Sequence, residues 1–238
     1  MPPTETQGPP WLVLPTYNEA GNIEQLVRKA VASLPTGSRV LVVDDNSPDG
    51  TGEIAERLSA ELAVEVLHRE GKEGLASAYV AGFEHVLGRG AGLILQMDSD
   101  FSHDPGDLRR LVEASERADV VLGSRYVSGG GVRDWSLLRR VISRGGSAYA
   151  RLVLGIEVRD LTGGFKCFRR EVLESLDLQG IASQGYAFQV EMTYRSLQKG
   201  FAVVEIPIVF RDRQVGKSKM SRAIVLEAAW RVPLLRFR

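Results

Sequence analysis

Apolar residues along this chain fall into short continuous runs separated by amphipathic stretches. The runs "WLVLP", "RVLVVDD", "AVEVLHR", "GLILQMD" and "ADVVLGSR" are rich in Val, Leu and Ile and read as strands buried on both faces. Between the first two, "EAGNIEQLVRKAVASL" places Ile23, Leu26, Val27, Ala30, Val31 and Leu34 on one side of a helix. The stretches "DGTGEIAERLSAEL" and "GLASAYVAGFEHVLG" read as two more helices. This alternation predicts an α/β fold with a mostly parallel central sheet and helices on both faces. A length of 238 residues suits one compact domain, and no repeat, low-complexity tract or linker divides it. The expected limits are a disordered leader over 1–10, the domain over 11–220 and an amphipathic, interfacial segment over 221–238.

In an open sheet of this kind, ligands bind beyond the carboxyl ends of the strands. Polar residues gather there: "PTYNE" follows the first strand, "DDNSPDG" the second, "DSDFSHD" the central one and "GSRY" the next. One edge therefore carries Glu19, Asp44, Asp45, Asp98, Asp100 and Arg125. Helix N-caps account for Asp49 and Asn18, but not for so many acids together. Asp98 and Asp100 stand two apart, so in an extended or turning segment they project to the same side. Hard divalent cations take such oxygen pairs and keep positions open for phosphates. An acidic loop without a metal is the alternative, and the place at the end of the central strand favours the cation.

Composition narrows the choice by exclusion. Thirty basic and thirty acidic residues cancel, which removes the electrostatic case for nucleic acid as a partner. The balance is uneven, because residues 195–238 hold ten Lys and Arg against three Asp and Glu. One cysteine, Cys167, excludes an intrachain disulfide and a cysteine metal cluster. "MPPTETQGPP" lacks the basic start and apolar core of a signal peptide, and no apolar run approaches the roughly 20 residues that span a bilayer. There is no P-loop, no G-x-S-x-G elbow and no metal-ligand spacing among His68, His85 and His103. "GGGVRD" follows no strand, so Gly129 to Gly131 read as a flexible loop and not as a dinucleotide fingerprint.

Taken together, "VLPTYNEAGNI", "VLVVDDNSPDGT", "MDSDFSHDP", "GSRYVSGG", "DLTGGFKCF", "SQGYAFQVEM" and "RDRQVGKSKM" resemble the dolichol- and polyprenol-phosphate mannose synthases. These are inverting glycosyltransferases with a nucleotide-diphospho-sugar-binding, GT-A-type and Rossmann-like α/β fold. The resemblance runs from about Trp11 to Met220, and the motifs from Gly123 onward are the ones that point to a lipid-phosphate acceptor. It implies transfer of mannose from GDP-mannose to a polyprenyl or dolichyl phosphate, with Mg²⁺ or Mn²⁺ as cofactor. By the same resemblance Asp98 and Asp100, with Ser102, hold the metal. Pro15, Tyr17, Glu19, Asp44, Asp45 and Ser99 hold the donor nucleotide-sugar, and Arg213 and Lys219 approach its diphosphate, with Asp100 and Arg213 closest to the chemistry.

The acceptor side follows from the same likeness. Arg125, Arg139 and Ser143 would bind the acceptor phosphate, and Arg139 and Ser143 at i and i+4 share one helix face. A hydroxyl acceptor needs a general base, whereas a phosphate monoester already carries about −1.5 to −2 charges near neutral pH and needs a positive cradle. Glu191 lies near the base position of processive sugar-polymer synthases, or is a helix residue in an ion pair; Asp160 shapes the acceptor loop or caps a turn before Gly163 and Gly164. "SLLRRVISRGGSAYARLVLG" and "SRAIVLEAAWRVPLLRFR" mix Leu, Val and Ile with Arg, as interfacial helices do, or else pack on the core. The expected location is peripheral, on the cytoplasmic face of a membrane. Some relatives continue into transmembrane helices, so a separate membrane-anchoring protein is a further expectation. The rival readings are a polyprenyl-phosphate transferase using UDP-glucose or a UDP-amino sugar, and a noncatalytic sugar-nucleotide-binding subunit.

Overall fold

The structure is a computed structural model and describes residues 8–181, 183, 185–212 and 230–236. Its strands are β1 (Pro10–Thr16), β2 (Arg39–Asp44), β3 (Val64–His68), β4 (Leu93–Gln96), β5 (Val120–Ser124), β6 (Gly131–Val132), β7 (Lys166–Arg169), β8 (Val203–Pro207) and β9 (Val209–Phe210). The helices are α1 (Ile23–Ser33), α2 (Thr51–Ser59), α3 (Leu75–Gly88), α4 (Leu108–Ala114), α5 (Leu137–Leu154), α6 (Arg170–Ser175) and α7 (Gly185–Gln198). Seven strands form one sheet in the order β3-β2-β1-β4-β7-β5-β8. All its pairings are parallel except the two made by β7, which runs antiparallel between β4 and β5.

The period-two alternation of the strands explains the layers. Trp11 and Val13 of β1, with Leu41 and Val43 of β2, face one apolar core closed by α3, α5, α6 and α7. Leu12 and Leu14, with Val40 and Val42, face a second core closed by α1, α2 and α4. In α1 the expected face holds: Ile23, Leu26, Val27 and Ala30 are all buried.

Three local expectations change. Pro9 and Pro10, expected in the leader over 1–10, are ordered: Pro10 begins β1 and the Pro9 carbonyl accepts a hydrogen bond from Gly92 N at 3.0 Å, while residues 1–7 lie outside the described residues. Gly131 does not lie in a free loop, since β6 pairs in parallel with β9. "DLTGGFKCF" is not among the runs that read as strands, yet its last three residues belong to the antiparallel strand β7. A four-residue strand that begins on Lys166 and ends on Arg169 carries too little periodicity to stand out. Within the segment expected over 221–238, residues 230–235 are helical; Val232 and Leu235 join the core, and Arg236 donates to the Val153 carbonyl at 3.3 Å. Among the described residues no helix is long and apolar enough to cross a membrane.

One lysine is buried in the core between β7 and α7. Lys166 on β7 is fully buried and donates to the Gln189 carbonyl at 2.7 Å and to Thr193 Oγ1 at 2.9 Å, both on α7. Burial lowers its pKa from the ordinary 10.5 to about 7. The unfolded chain holds that proton to higher pH than the folded one, so the cost of burying the charge is present in full below pH 7 and fades as pH rises toward 10.5. Relative to Lys166→Met, the wild-type protein is expected to gain about 2 kcal/mol of stability between pH 7 and pH 9. Urea midpoints of both proteins at the two pH values check this, and a constant difference would refute it.

Candidate active site

The carboxyl ends of β1, β2, β4 and β5 border a cavity of about 360 Å³. Its lining includes Pro15, Tyr17, Glu19, Asp45, Asp98, Ser99, Asp100, Ser102, Arg125 and Arg139 from the sequence-based set. Asp44 and Ser143 do not line it. Arg213 and Lys219 lie outside the described residues. Lys72, Gly163, Gly164, Tyr186 and Gln189 line the cavity without having been singled out as site residues.

The turn after β4 sets the acidic centre. Phe101 takes a left-handed backbone, φ 59°, which a bulky side chain rarely adopts. That turn folds the chain back so that Ser102 N donates to Asp100 Oδ1 at 3.0 Å. Tyr79 on α3 donates to Asp98 Oδ1 at 3.2 Å, and burial with the nearby carboxylates pushes the Tyr79 hydroxyl well above its ordinary value, so it acts as a neutral donor. Ser99 Oγ donates to the Pro15 carbonyl at 2.8 Å and fastens this turn to the end of β1. A side chain on Gly164 would put its Cβ 3.3 Å from the Asp98 carboxylate, a tight contact that the carboxylate would have to yield to, so the loop before β7 passes close to Asp98. The donor set is two carboxylates and a hydroxyl on one turn, all hard oxygens, and it fits a Mg²⁺ or Mn²⁺ ion that takes its remaining ligands from a phosphate chain.

Residues after β1 and β2 extend the site. Tyr17 lies under the Lys72 ammonium, 4.0 Å from the ring centroid, and Glu19 accepts from Asn22 Nδ2 at 2.8 Å. Asp45 is held by Arg69 at 2.5 Å, although burial raises its pKa against that attraction. Asp44 serves the scaffold: its carboxylate accepts from Thr16 Oγ1 at 3.1 Å, Ser47 Oγ at 2.6 Å and Ser47 N at 3.1 Å. Sequence alone does not tell which of two adjacent acids turns inward; the period-two pleat of β2 decides it.

On the far side stand the arginines. Arg125, after β5, is clamped by Asp160 through Nε at 2.7 Å and Nη2 at 2.6 Å, and Nη2 also donates to Thr162 at 2.8 Å. Three of its five N–H groups are thus used inside the protein. Burial works against its charge, but the Asp160 pair more than offsets this and holds the pKa above its ordinary value. The rings of Tyr126, Trp135 and Phe210 lie 5.2–5.5 Å from the guanidinium. Arg139 on α5 stacks at 4.3 Å on Trp135 and pairs with Asp212 at 2.7 Å. Ser143, one turn further, takes a 2.6 Å hydrogen bond from Tyr126. It therefore bears on the cavity through the tyrosine that flanks Arg125.

The two histidine and base questions resolve locally. His103 is buried between Phe165 and Phe210, does not line the cavity, and burial lowers its pKa to about 4, so it packs there as a neutral ring. His68 and His85 pair with Glu56 and Glu65 away from the cavity. Glu191 is fully buried, does not line the cavity and sits 2.5 Å from Arg195, which in turn donates to the Asp177 and Gly180 carbonyls. Glu191 anchors the segment before α7 and is not placed as a base.

Comparison with known proteins follows this geometry. The model of glycosyl transferase family 2 matches residues 11–177. A polyprenol monophosphomannose synthase of Mycolicibacterium smegmatis is 45% identical over 224 residues, covering 93% of this chain and 84% of that protein. An undecaprenyl-phosphate mannosyltransferase of Micrococcus luteus is 46% identical over 217 residues, covering 91% and 89%. Among solved structures, glucosyl-3-phosphoglycerate synthase of Mycobacterium tuberculosis in complex with Mn²⁺, UDP and glucosyl-3-phosphoglycerate superposes with a TM-score of 0.72 at 19% identity, over 96% of this chain and 80% of that one. At that identity the likeness shows a shared fold.

The buried Arg125–Asp160 pair yields a stability prediction. Asp160→Asn leaves the guanidinium without its counter-charge and should cost about 3–5 kcal/mol in chemical denaturation. Adding Arg125→Met to it should recover much of the loss, and no recovery would mean that the damage lies outside the ion pair.

Proposed function

This chain belongs to glycosyl transferase family 2 and is a glycosyltransferase on a single GT-A-type α/β domain, and from that premise we propose that it moves mannose from GDP-mannose to a polyprenyl phosphate. The observation that carries this reading is the polarity of the cavity across the sheet. Acids follow β1, β2 and β4, while Arg125 follows β5 and Arg139 enters from α5. A donor diphosphate suits the acidic side only with a cation beside Asp98 and Asp100, and an anionic acceptor suits the arginine side. The names of the two curated relatives supply mannose and the polyprenyl class.

The chemistry asked of these residues is modest. An acceptor phosphate oxygen attacks the anomeric carbon as the bond from that carbon to the diphosphate breaks on the opposite face, which inverts the centre. That oxygen is already anionic, so no side chain need remove a proton. Arg139, fixed by Trp135 and Asp212, orients the acceptor phosphate, and Arg125 keeps the wall of that pocket in place. Pro15, Tyr17, Glu19 and Asp45 position the nucleoside. Asp98, Asp100 and Ser102 would hold the divalent ion, which when bound offsets the charge growing on the leaving diphosphate. Arg213 and Lys219 keep the diphosphate role that the resemblance implies.

A polyprenyl acceptor requires work at a membrane surface. Helix α5 offers one: Leu137, Leu138, Val141 and Leu152 are 68–83% exposed, with Arg140 and Arg144 alongside. Apolar residues mixed with arginines suit a bilayer with anionic headgroups. The same helix carries Arg139 into the cavity, so the lipid tail and its phosphate can be held by one element. We place this surface on the cytoplasmic face, with a separate membrane-anchoring partner compatible with it.

The deciding experiment uses purified protein, a short-chain polyprenyl phosphate and radiolabelled GDP-mannose, with and without Mg²⁺ or Mn²⁺. Lipid-linked product that requires the cation is expected. Product only from UDP-glucose or a UDP-amino sugar would replace the donor, and donor binding without transfer to any acceptor would favour a binding subunit. Asp100→Asn should abolish cation-dependent GDP-mannose binding; unchanged affinity at saturating cation would remove it from the metal site. Arg139→Ala should raise the KM for polyprenyl phosphate at least about tenfold with little change for the donor, as expected for a charge-assisted hydrogen bond. Equal effects on both substrates would take Arg139 out of the acceptor pocket.

A further inference from the structure

We propose that the side-chain amide of Gln189 binds a hydroxyl of the transferred sugar and thereby helps to select the donor; this rests on the donor reading above. Gln189 lines the cavity, is 2% exposed and has an Nε2 without a hydrogen-bond partner. A buried amide N–H₂ left unpaired is costly, and its placement on the wall of a binding cavity points to a ligand acceptor that supplies the missing bond.

The direction in which that amide faces is fixed by a chain of partners. The Gly164 carbonyl can only accept, so the amide nitrogen of Gln96 turns toward it, at 3.1 Å. The same Gln96 nitrogen donates to Gln189 Oε1 at 2.8 Å. Gln189 must therefore present its oxygen to Gln96 and its nitrogen elsewhere. Its backbone is held as well, because Lys166 donates to the Gln189 carbonyl. Two side chains with no access to substrate thus aim one donor.

Topology says which part of a donor meets it. Gln96 ends β4, and Gly164 leads into β7, the strand between β4 and β5. Gln189 accordingly borders the region between the Asp98–Asp100 turn and the arginine wall. In a transfer from diphosphate to phosphate, the sugar occupies the space between the two. Chemistry agrees: Asp98 approaches Gly164 closely and accepts a hydrogen bond from Tyr79, while the unpaired Gln189 Nε2 can only donate. A neutral hydroxyl can donate to the first and accept from the second, whereas a phosphate oxygen can only accept.

The test compares dissociation constants for GDP and GDP-mannose by calorimetry, first on the wild-type protein. GDP carrying 2-, 3-, 4- or 6-deoxymannose is then measured. One deoxy donor should bind about tenfold more weakly than GDP-mannose, and that penalty should vanish in Gln189→Leu, whose affinity for GDP should stay within about twofold of wild type. Loss of GDP and GDP-mannose affinity by equal factors in Gln189→Leu would put the amide on the diphosphate and overturn the proposal. So would a wild-type protein indifferent to every deoxy donor, a result that needs no variant to fold. If the wild-type protein instead uses a UDP-sugar, the donor reading fails by itself and the same ratio is read with that sugar and UDP. If it binds no nucleotide-sugar, both fall.

Discussion

A charge buried in an apolar region is tolerable only when its partner is fixed, and the Arg125–Asp160 pair builds the arginine side of the cavity around that constraint. Arg125 follows the last residue of β5, and Asp160 belongs to the loop that leads into β7. Their bidentate contact closes that loop, which sets Gly163 and Gly164 against the cavity. The guanidinium also forms a platform for Tyr126, Trp135 and Phe210. Trp135 carries Arg139, and Phe210 flanks His103. The backbone N–H groups of Arg159 and Asp160 are in turn held by Glu205 of β8 at 2.7 and 2.9 Å. Loops after β5, before β7 and around β9 are thus locked to one another through a single ion pair.

On the other side of the cavity the constraint is backbone geometry. Phe101 is held in a left-handed turn, and Asp98, Asp100 and Ser102 are positioned by that turn together with Tyr79. Strain of this kind persists only where surrounding contacts over-determine it, and it is concentrated where function needs a fixed arrangement. The two halves meet over β7. Because that strand runs antiparallel, its amino-terminal end, and not its carboxyl end, reaches the cavity edge, bringing the glycine loop to the cavity between the acids and the arginines.

The resulting cavity is sorted by charge without a carboxylate placed as a base on α7. Glu191 is spent on Arg195, and the neighbour that reaches the cavity from the same helix, Gln189, is a neutral amide. A neutral group there suits an acceptor that arrives already ionised, since a proton acceptor would add only like-charge repulsion. The exposed apolar side of α5 lies on the same helix that supplies Arg139 to the cavity.

Much of this was legible in the chain. Continuous Val, Leu and Ile runs separated by amphipathic stretches fix a parallel sheet covered on both faces, because strands buried twice must be apolar throughout. Carboxyl-end placement then gathers Glu19, Asp44, Asp45, Asp98, Asp100 and Arg125 at one edge before any coordinate is known. What local pattern cannot carry is which side chains are consumed by the scaffold. Asp44 and Asp45 are adjacent and chemically identical, and only the pleat of β2 and the partners Thr16 and Ser47 separate them. Arg125, Asp160, Glu191 and Gln189 acquire their roles from partners that are four to 93 positions away. Sequence by itself determined the fold class and the chemical inventory of the edge, since both follow from periodicity and strand ends; tertiary structure alone decided which charges are neutralised and which side chains line the cavity, since pairing in a low-dielectric interior depends on distances that the chain order does not encode.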